Sequence, residues 1–204
     1  MKKRGIIFTA IWIILFFVCL YLDNFLVQSV SLLRNNILDN FFLLITLVSS
    51  EIILFFILTA LFLWTEHKRE WILPLWICLG ASAVASFILK ITIQRARPFQ
   101  LGLVELISNL QSSSYAIWNF SFPSFQSMLV FSAIPILSYN FPKLKKFWIA
   151  FAVLVAFSRV YFGVHFFSDV IAGGLIGYLI GIIILRTEKN KKLGQKIYRK
   201  IFRK

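Results

Sequence analysis

The sequence predicts an all-α, polytopic membrane protein, a bundle of six transmembrane helices. Of its 204 residues, 59% are hydrophobic and only 15% are charged, and the mean hydropathy is +0.82. A soluble core of this size could not bury so much apolar side chain. Several apolar runs reach the roughly 20 residues that cross a hydrocarbon core. Because backbone groups in lipid must pair within the segment, these runs are expected to be helices.

The predicted spans are six apolar runs, at about 5–22, 41–64, 71–93, 122–139, 147–162 and 166–185. The first resembles a signal peptide, but no small-residue cleavage site follows it, so we expect an uncleaved span. Residues 23–40 mix apolar residues with Asp23, Arg34 and Asp39 and suit an interfacial helix on the outer face. The predicted organisation is a membrane domain, residues 1–185, and a basic tail, residues 186–204.

The basic residues predict the orientation. A net charge of +14 could indicate nucleic-acid binding, but 17 of the 22 Lys and Arg lie at the termini or in the loops on one side of the six spans. By the positive-inside rule that side is cytoplasmic, which predicts a plasma-membrane protein with both termini inside and no nucleic-acid partner. Five cations are left to face outward: Arg34, Lys90, Arg95, Arg97 and Arg159. Leu193, Ile197 and Ile201 recur at helical spacing in the tail, which is expected to lie on anionic lipids of the inner leaflet.

Polar residues interrupt the second and third spans. Glu51 follows two serines near mid-depth, and it is either a structural hydrogen-bonding group or part of a polar path. The third span ends with Lys90 and Arg97, which lie two helical turns apart on nearly one face, while Pro98 pushes Arg97 out of helical geometry. A single cation at this depth could extend its side chain to the lipid headgroups. That explanation is weaker for three outward cations close to a histidine. Residues 99–121 form an outer loop apolar enough to admit a lipid sideways.

The densest polar pattern runs from Ser158 to Asp169. Charged side chains at bilayer depth cost about 2.5–3.5 kcal/mol each, so their presence indicates a functional site. His165 and Asp169 are four residues apart, which on a helix puts the carboxylate beside one imidazole nitrogen and leaves the other free to attack. Arg159 can meet His165 only if the chain bends near Gly163. Before this pattern, Pro123 and Ser124 begin the fourth span, whose first-turn N–H groups form an anion site.

Three cations, a helix start and a hydroxyl predict a binding site for a group with two or more negative charges, such as phosphate. A histidine nucleophile beside that group indicates phosphoryl transfer through a phosphohistidine, with the cations neutralising the equatorial oxygens. The sequence has no carboxylate cluster for a divalent metal, and Cys19 and Cys78 both lie in apolar runs. We therefore expect neither metal nor cofactor.

These motifs resemble the type 2 phosphatidic acid phosphatases, which include undecaprenyl diphosphate phosphatases and lipid phosphate phosphatases. That family has Lys-x6-Arg-Pro, Pro-Ser-Gly-His and Ser-Arg-x5-His-x3-Asp. The first matches Lys90 to Pro98 and the third matches Ser158 to Asp169 without a gap. The resemblance implies His165 as nucleophile and Asp169 as its partner. It also implies a phosphate site formed by the following residues: Lys90, Arg97, Ser124, Phe125, Ser158 and Arg159.

The middle motif departs from the family pattern, because Phe125-Gln126 stands where the family has Gly-His. The family's histidine acts as a general acid, and Gln126 cannot donate a proton in that way; a missing general acid costs about 10²–10⁴ in rate. Glu105 is a possible proton source, although nothing in the sequence positions it. A diphosphate, whose leaving group is a weak base, needs the proton least. The sequence thus predicts an outward-facing polyprenyl diphosphate or lipid phosphate phosphatase. An impaired phosphatase-like protein that only binds lipid phosphate, and a lipid phosphotransferase, remain alternatives.

Overall fold

The computed structural model describes residues 2–106 and 120–202, and within these residues it is all-helical. It has eight α-helices there: α1 Lys2–Ser31, α2 Asn36–Val48, α3 Glu51–Trp64, α4 Ile72–Ile93, α5 Phe125–Asn140, α6 Lys145–Tyr161, α7 Phe167–Lys191 and α8 Leu193–Phe202. A 3-10 helix, Glu66–Trp71, precedes α4. Residues 107–119 of the predicted outer loop and the Ile201 side chain lie outside the described part.

The first helix is longer than predicted. The interfacial helix expected over 23–40 is wrong, since α1 continues to Ser31 and a new helix begins at Asn36. Asn35 separates the two, and its side-chain oxygen accepts hydrogen bonds from the N–H groups of Ile37 and Leu38 at 3.1 and 3.0 Å, as an N-cap does. Asp23 therefore belongs to α1, where it is only 2% exposed. Hydrogen bonds across the bundle compensate its burial.

The second predicted span is two helices. α2 and α3 meet at an angle of 63°, with the break at Ser49 and Ser50. Glu51 then lies in the first turn of α3, where a carboxylate is favoured by the positive end of the helix dipole. A polar pair followed by an acid is the local reason for the break, because both serines can serve as helix-terminal residues.

Within residues 2–106 and 120–202, three segments are long and apolar enough to cross a membrane: Ala10–Ser31, Glu66–Leu101 and Phe167–Lys191. The bent pair α2 and α3 would be a fourth. α5 and α6 have 16 and 17 residues, so they are about 24–26 Å long against a hydrocarbon core of about 30 Å. Six crossings therefore remain a prediction.

α5 forms the centre of the bundle and contacts α4, α6 and α7. Its side chains are buried on every side from Ser127 to Leu137, as expected for a helix without a polar face. The main hydrophobic core joins it to α3, α4 and α6 through Leu58, Leu75 and Val155, among others. The start of α5 is thus held in a fixed position relative to α4, α6 and α7.

α7 packs closely on α5 through glycines spaced four residues apart. A Cβ at Gly173, Gly177 or Gly181 would lie 2.6, 2.2 or 2.2 Å from the backbone oxygen of Ser124, Met128 or Ser132. These distances are far below van der Waals contact. Only glycine lets the two backbones meet, as in small-residue helix interfaces in membranes.

α8 lies on the end of the bundle opposite the start of α5. Both carboxylate oxygens of Glu188 accept from the first N–H groups of α8, those of Gly194 at 3.0 Å and Gln195 at 2.9 Å. Arg199 donates twice to Glu70, at 2.7 and 2.9 Å. This helix is therefore tied both to α7 and to the 3-10 helix before α4.

The glycine contact can be tested by adding one methyl group. Gly177→Ala would overpack the α5–α7 interface, and we expect it to destabilise the protein by about 1–3 kcal/mol. The measurement is the thermal unfolding midpoint in detergent. Gly80→Ala is the matched control, because nothing lies within 4 Å of a Cβ at that position in α4. An unchanged midpoint for Gly177→Ala would contradict the packing described above.

Candidate active site

A tight turn between α6 and α7 brings His165 back to Arg159. Gly163 has φ of +69°, in the left-handed region that glycine adopts most readily. The N–H groups of Val164 and His165 both donate to the Arg159 carbonyl, at 3.2 and 3.3 Å. A Cβ at Gly163 would lie 2.3 Å from a methyl group of Val104. The bend expected at this glycine is thus present, and the chain folds back over the end of α6.

His165 is 4% exposed, and cations surround it. Burial, together with the charges of Arg97, Lys90 and Arg159, lowers the pKa of His165 well below its ordinary value. Each of these cations comes from a different part of the site: the segment after α4, the end of α4 itself, and α6. At neutral pH the imidazole is therefore uncharged, and a nitrogen lone pair is available for attack.

Lys90 and Arg97 reach the site from the same end of α4. Lys90 is 2% exposed, and its Nζ donates to the carbonyl of Phe120 at 2.5 Å. α4 ends at Gln94, which is left-handed with φ of +49°, so the following residues leave the helix axis. Arg97 then donates through Nη1 to the carbonyl of Val164 at 3.3 Å. Its guanidinium is thereby fixed beside the turn that carries His165.

Arg159 supplies the clearest sign of an anion-binding site. The side chain is 8% exposed, and its Nη1 makes a long contact of 3.4 Å with Thr46 Oγ1. Its Nε and the Nδ1 of His165 are buried and have no hydrogen-bond partner among the described residues. Buried polar groups are ordinarily paired, and an unpaired charged donor is costly. An oxyanion between the cations would satisfy Arg159.

Asp169 lies beside His165 but does not hydrogen-bond to it. Its Oδ2 is 3.7 Å from His165 Nδ1, beyond hydrogen-bond length, so the predicted bond is absent in this structure. The carboxylate is occupied by other donors: Phe166 N–H at 2.8 Å, Arg95 Nη1 at 2.8 Å and the Ser121 hydroxyl. Since Nδ1 faces Asp169, Nε2 is the nitrogen on the opposite side of the ring.

The remaining predicted residues lie at the start of α5 and the end of α6. Ser124 is buried before α5, and its N–H donates to the Asp169 carbonyl at 3.1 Å, so the two helix starts are joined. The Ser158 hydroxyl instead donates to the Val155 carbonyl at 2.7 Å. Phe125 lines an apolar groove with Glu51, and Gln126 is half-buried. Glu105 is exposed, and its carbonyl accepts from Arg34 at 2.6 Å.

Sequence reasoning missed three residues of this site, Asp23, Arg95 and Ser121. All three touch Asp169 or its neighbour Ser168. From the sequence, Arg95 is only one of five outward cations, and Asp23 belongs to the expected interfacial helix. The signals for their role are an acid directly after the first predicted span and an arginine two residues before Arg97.

Comparison with known proteins identifies the family. A model of the PAP2 superfamily matches residues 71–193, which is more than half of the chain and includes all the predicted site residues. This chain belongs to the PAP2 superfamily. The matched part runs from the start of α4 to α8, so α1 to α3 lie before it.

Two curated proteins resemble the chain in sequence. Phosphatidylglycerophosphatase B of Bacillus subtilis is 34% identical over 143 residues, covering 64% of this chain and 65% of that protein. Undecaprenyl-diphosphatase of Sulfolobus acidocaldarius is 31% identical over 147 residues, covering 67% and 66%. The chain thus aligns with just under two thirds of the length of these PAP2 relatives.

Two solved structures share the fold. A PAP2-type phosphatidylglycerolphosphate phosphatase from Bacillus subtilis superposes with a TM-score of 0.70 at 24% identity, covering 90% of this chain and 97% of that one. LpxE of Aquifex aeolicus gives a TM-score of 0.64 at 28% identity, covering 81% and 95%. The superposition on both extends beyond the residues matched by the PAP2 model.

The unpaired, buried Nε of Arg159 predicts anion binding that does not depend on turnover. Orthovanadate should bind the purified protein and raise its thermal midpoint, since a ligand at 100 times its Kd stabilises by about 2.7 kcal/mol. Arg159→Gln should weaken binding at least about tenfold, the cost of one charge-assisted hydrogen bond. Arg186→Gln removes the same charge from an exposed position on α7 and should bind as the wild type does. Equal binding by both variants would contradict an anion site at Arg159.

Proposed function

We propose that this chain is a membrane lipid phosphatase that hydrolyses a lipid diphosphate, with a polyprenyl diphosphate as the preferred substrate. The observation that carries the proposal is the placement of Lys90, Arg97 and Arg159 around a single buried imidazole. Relatives named for phosphatidylglycerophosphate and undecaprenyl diphosphate support a phosphorylated lipid as substrate.

In the proposed reaction, His165 Nε2 attacks the terminal phosphorus of the diphosphate. An N–P bond forms, the P–O bond to the lipid monophosphate breaks, and that monophosphate leaves with the electron pair. Water then attacks the phosphohistidine and releases inorganic phosphate, which restores the imidazole. Lys90, Arg97 and Arg159 neutralise the oxygens of the transferred group in both steps. Ser124 and the first N–H groups of α5 lie at the helix end that favours anions.

We propose that the reaction proceeds without a metal ion, because three cationic side chains supply the charge compensation that Mg²⁺ gives to many phosphoryl transfers. His165, uncharged through the cations and its burial, is already a nucleophile, so no metal-bound water is needed to generate one. Hydrolysis should therefore persist in the presence of a chelator.

The presence of Gln126 supports a lipid diphosphate, and not a lipid monophosphate, as the preferred substrate. A diphosphate releases a phosphate monoester, a weak base that leaves without a full proton transfer. A lipid monophosphate releases an alkoxide, which requires a general acid. Gln126 can donate a hydrogen bond through its amide but cannot transfer a proton. The same residue favours one alternative function, a protein that binds lipid phosphate without turnover. Phosphotransfer to another lipid or sugar would use the same site with a different acceptor.

We also propose that the site faces outward from the plasma membrane while α8 lies on the cytoplasmic surface. α8 supports this, because Leu193 and Ile197 are exposed one turn apart and Lys196 and Lys200 also lie on the helix. Such a helix suits an anionic inner leaflet. External labelling of a cysteine at Gln100, with no labelling of one at Lys145, tests the orientation directly.

The first test compares phosphate release from diphosphate and monophosphate lipids in detergent with chelator present. We expect turnover of the diphosphate, reduced by more than about 10³-fold in His165→Ala because the nucleophile is lost. The chain has only two histidines, so His67→Ala, on the 3-10 helix before α4, is the matched control and should remain active. Saturable binding of lipid phosphate with no turnover of any lipid would favour the binding protein.

The second test restores the missing proton donor. Gln126→His, alone or with Phe125→Gly, should raise hydrolysis of a lipid monophosphate by about 10²-fold or more, since general acid catalysis typically contributes 10²–10⁴. Diphosphate hydrolysis should change much less. The measurement is kcat for both lipids in each variant. An equal increase in kcat for both lipids would show that Gln126 does not determine the preference for a diphosphate over a monophosphate.

A further inference from the structure

We infer that Arg95 and Asp23 form a positioning pair that fixes Asp169 and thereby sets the acid–base behaviour of His165. This inference rests on the proposed function for its kinetic consequences. It concerns residues that the three family motifs do not use, and Asp23 lies before the stretch matched to the PAP2 superfamily.

Arg95 connects α1 to the first turn of α7, which carries Asp169. Its Nη1 donates to Asp169 Oδ1 at 2.8 Å and to Ser168 Oγ at 2.7 Å, and its Nη2 donates to Asp23 Oδ2 at 2.8 Å. The guanidinium also lies 4.0 Å from the centre of the Phe166 ring, a cation–π contact. Four contacts on a planar, rigid group leave it one orientation.

Asp23 anchors this arrangement to α1. Its Oδ1 accepts from the Ser168 N–H at 3.0 Å, and its Oδ2 accepts from the Ser168 hydroxyl as well as from Arg95. The first turn of α7, which carries Asp169, is thereby hydrogen-bonded to a helix that supplies none of the phosphate cations. Asp23 is 2% exposed, so its charge is compensated by these partners alone rather than by solvent.

These contacts hold both carboxylate oxygens of Asp169, so the group is fixed in orientation and in position beside His165. Oδ1 is held by Arg95, while Oδ2 is held by Phe166 N–H and the Ser121 hydroxyl. Oδ2 is also the atom 3.7 Å from His165 Nδ1. When His165 becomes phosphorylated or protonated, its Nδ1–H gains positive character, and the fixed carboxylate is close enough to stabilise that charge. Catalytic hydrogen bonds of this kind often shorten only when substrate is bound.

The charges around the pair decide the direction of the effect. Arg95 and Ser121 face Asp169, and Arg97, Lys90, Arg159 and the Ser121 backbone face His165. Asp23 compensates Arg95 from α1. Removing Arg95 removes a positive charge, so the coupled Asp169–His165 pair takes up a proton at higher pH. Protonation of either residue would stop the proposed reaction. A protonated imidazole has no lone pair for attack, and a protonated Asp169 has no charge to stabilise the imidazole.

The test is the pH dependence of kcat for Arg95→Gln, Arg95→Lys and Asp23→Asn. We expect Arg95→Gln to lower kcat by about 10²-fold and to move the acid limb of the profile upward by about one pH unit, with KM nearly unchanged. Arg95→Lys should restore the acid limb, since it retains the charge. Asp23→Asn leaves Arg95 in place, so its kcat should fall with little movement of the limb.

Arg34→Gln is the control for a merely structural arginine. Arg34 also bonds across the bundle, to the carbonyls of Tyr161 at 3.0 Å and Glu105 at 2.6 Å, but it contacts neither Asp169 nor Asp23 in any described bond. It should lower the thermal midpoint without moving the acid limb. If Arg95→Gln behaves like Arg34→Gln, or if its loss appears entirely in KM, the positioning role is wrong.

A second measurement does not require turnover. In a His67→Gln background, His165 is the sole histidine, and its imidazole can be titrated by NMR in isotope-labelled protein. Arg95→Gln should raise the titration midpoint of His165 relative to this background, and Arg34→Gln should not. A raised midpoint in a protein that hydrolyses no lipid would refute the proposed function while supporting the positioning pair. An unchanged midpoint in a variant of an active enzyme would refute the positioning pair and leave the proposed function intact.

Discussion

The mutual repulsion of three cations is the constraint on which this site depends. Lys90, Arg97 and Arg159 are brought close to His165 and to one another within a bundle whose other contacts are mostly apolar, at a cost that a bound anion would reduce. Without an anion, each charge has a fixed partner: the Phe120 carbonyl for Lys90, the Val164 carbonyl for Arg97 and the Thr46 hydroxyl for Arg159. The proposed reaction would use this arrangement as preorganised electrostatic stabilisation of a phosphoryl group.

The rigid interface between α5 and α7 keeps this arrangement in register. Glycines at 173, 177 and 181 let the α7 backbone lie directly on α5 carbonyls, and the Ser124 N–H donates to the Asp169 carbonyl where the two helices begin. The start of α5 and the turn that carries His165 thus belong to one packed unit. A shift of one element relative to the other would have to break both the glycine contacts and this hydrogen bond, so the site geometry is a consequence of core packing.

The substitution of Gly-His by Phe125-Gln126 changes one half of the site and leaves the other half intact. His165, Asp169 and the three cations form one side, and Gln126 lies in the first turn of α5. In the proposed reaction, the loss of a proton donor narrows the range of leaving groups and does not remove reactivity, because the residues proposed for the attack step are all present. This division is the physical reason to connect the altered motif with substrate choice.

The features that depend on local spacing followed from the sequence alone. Apolar runs predicted α4, α5 and α6 within three residues at each end and the start of α7 within one, although α7 continues six residues past its predicted end at 185. Gly163 predicted the bend, and the Lys-x6-Arg-Pro and Ser-Arg-x5-His-x3-Asp motifs indicated the family and its three cations. Other features depend on how helices are rotated and at what depth they meet, and these were visible only in the folded chain. They are the extension of α1 through Asp23, the break between α2 and α3, and the bridge from Asp23 through Arg95 to Asp169, whose carboxylate lies 3.7 Å from His165 Nδ1. Residues 72 positions apart cannot be paired from periodicity, because a hydropathy pattern records how apolar a segment is and not which neighbour its one polar side chain will face.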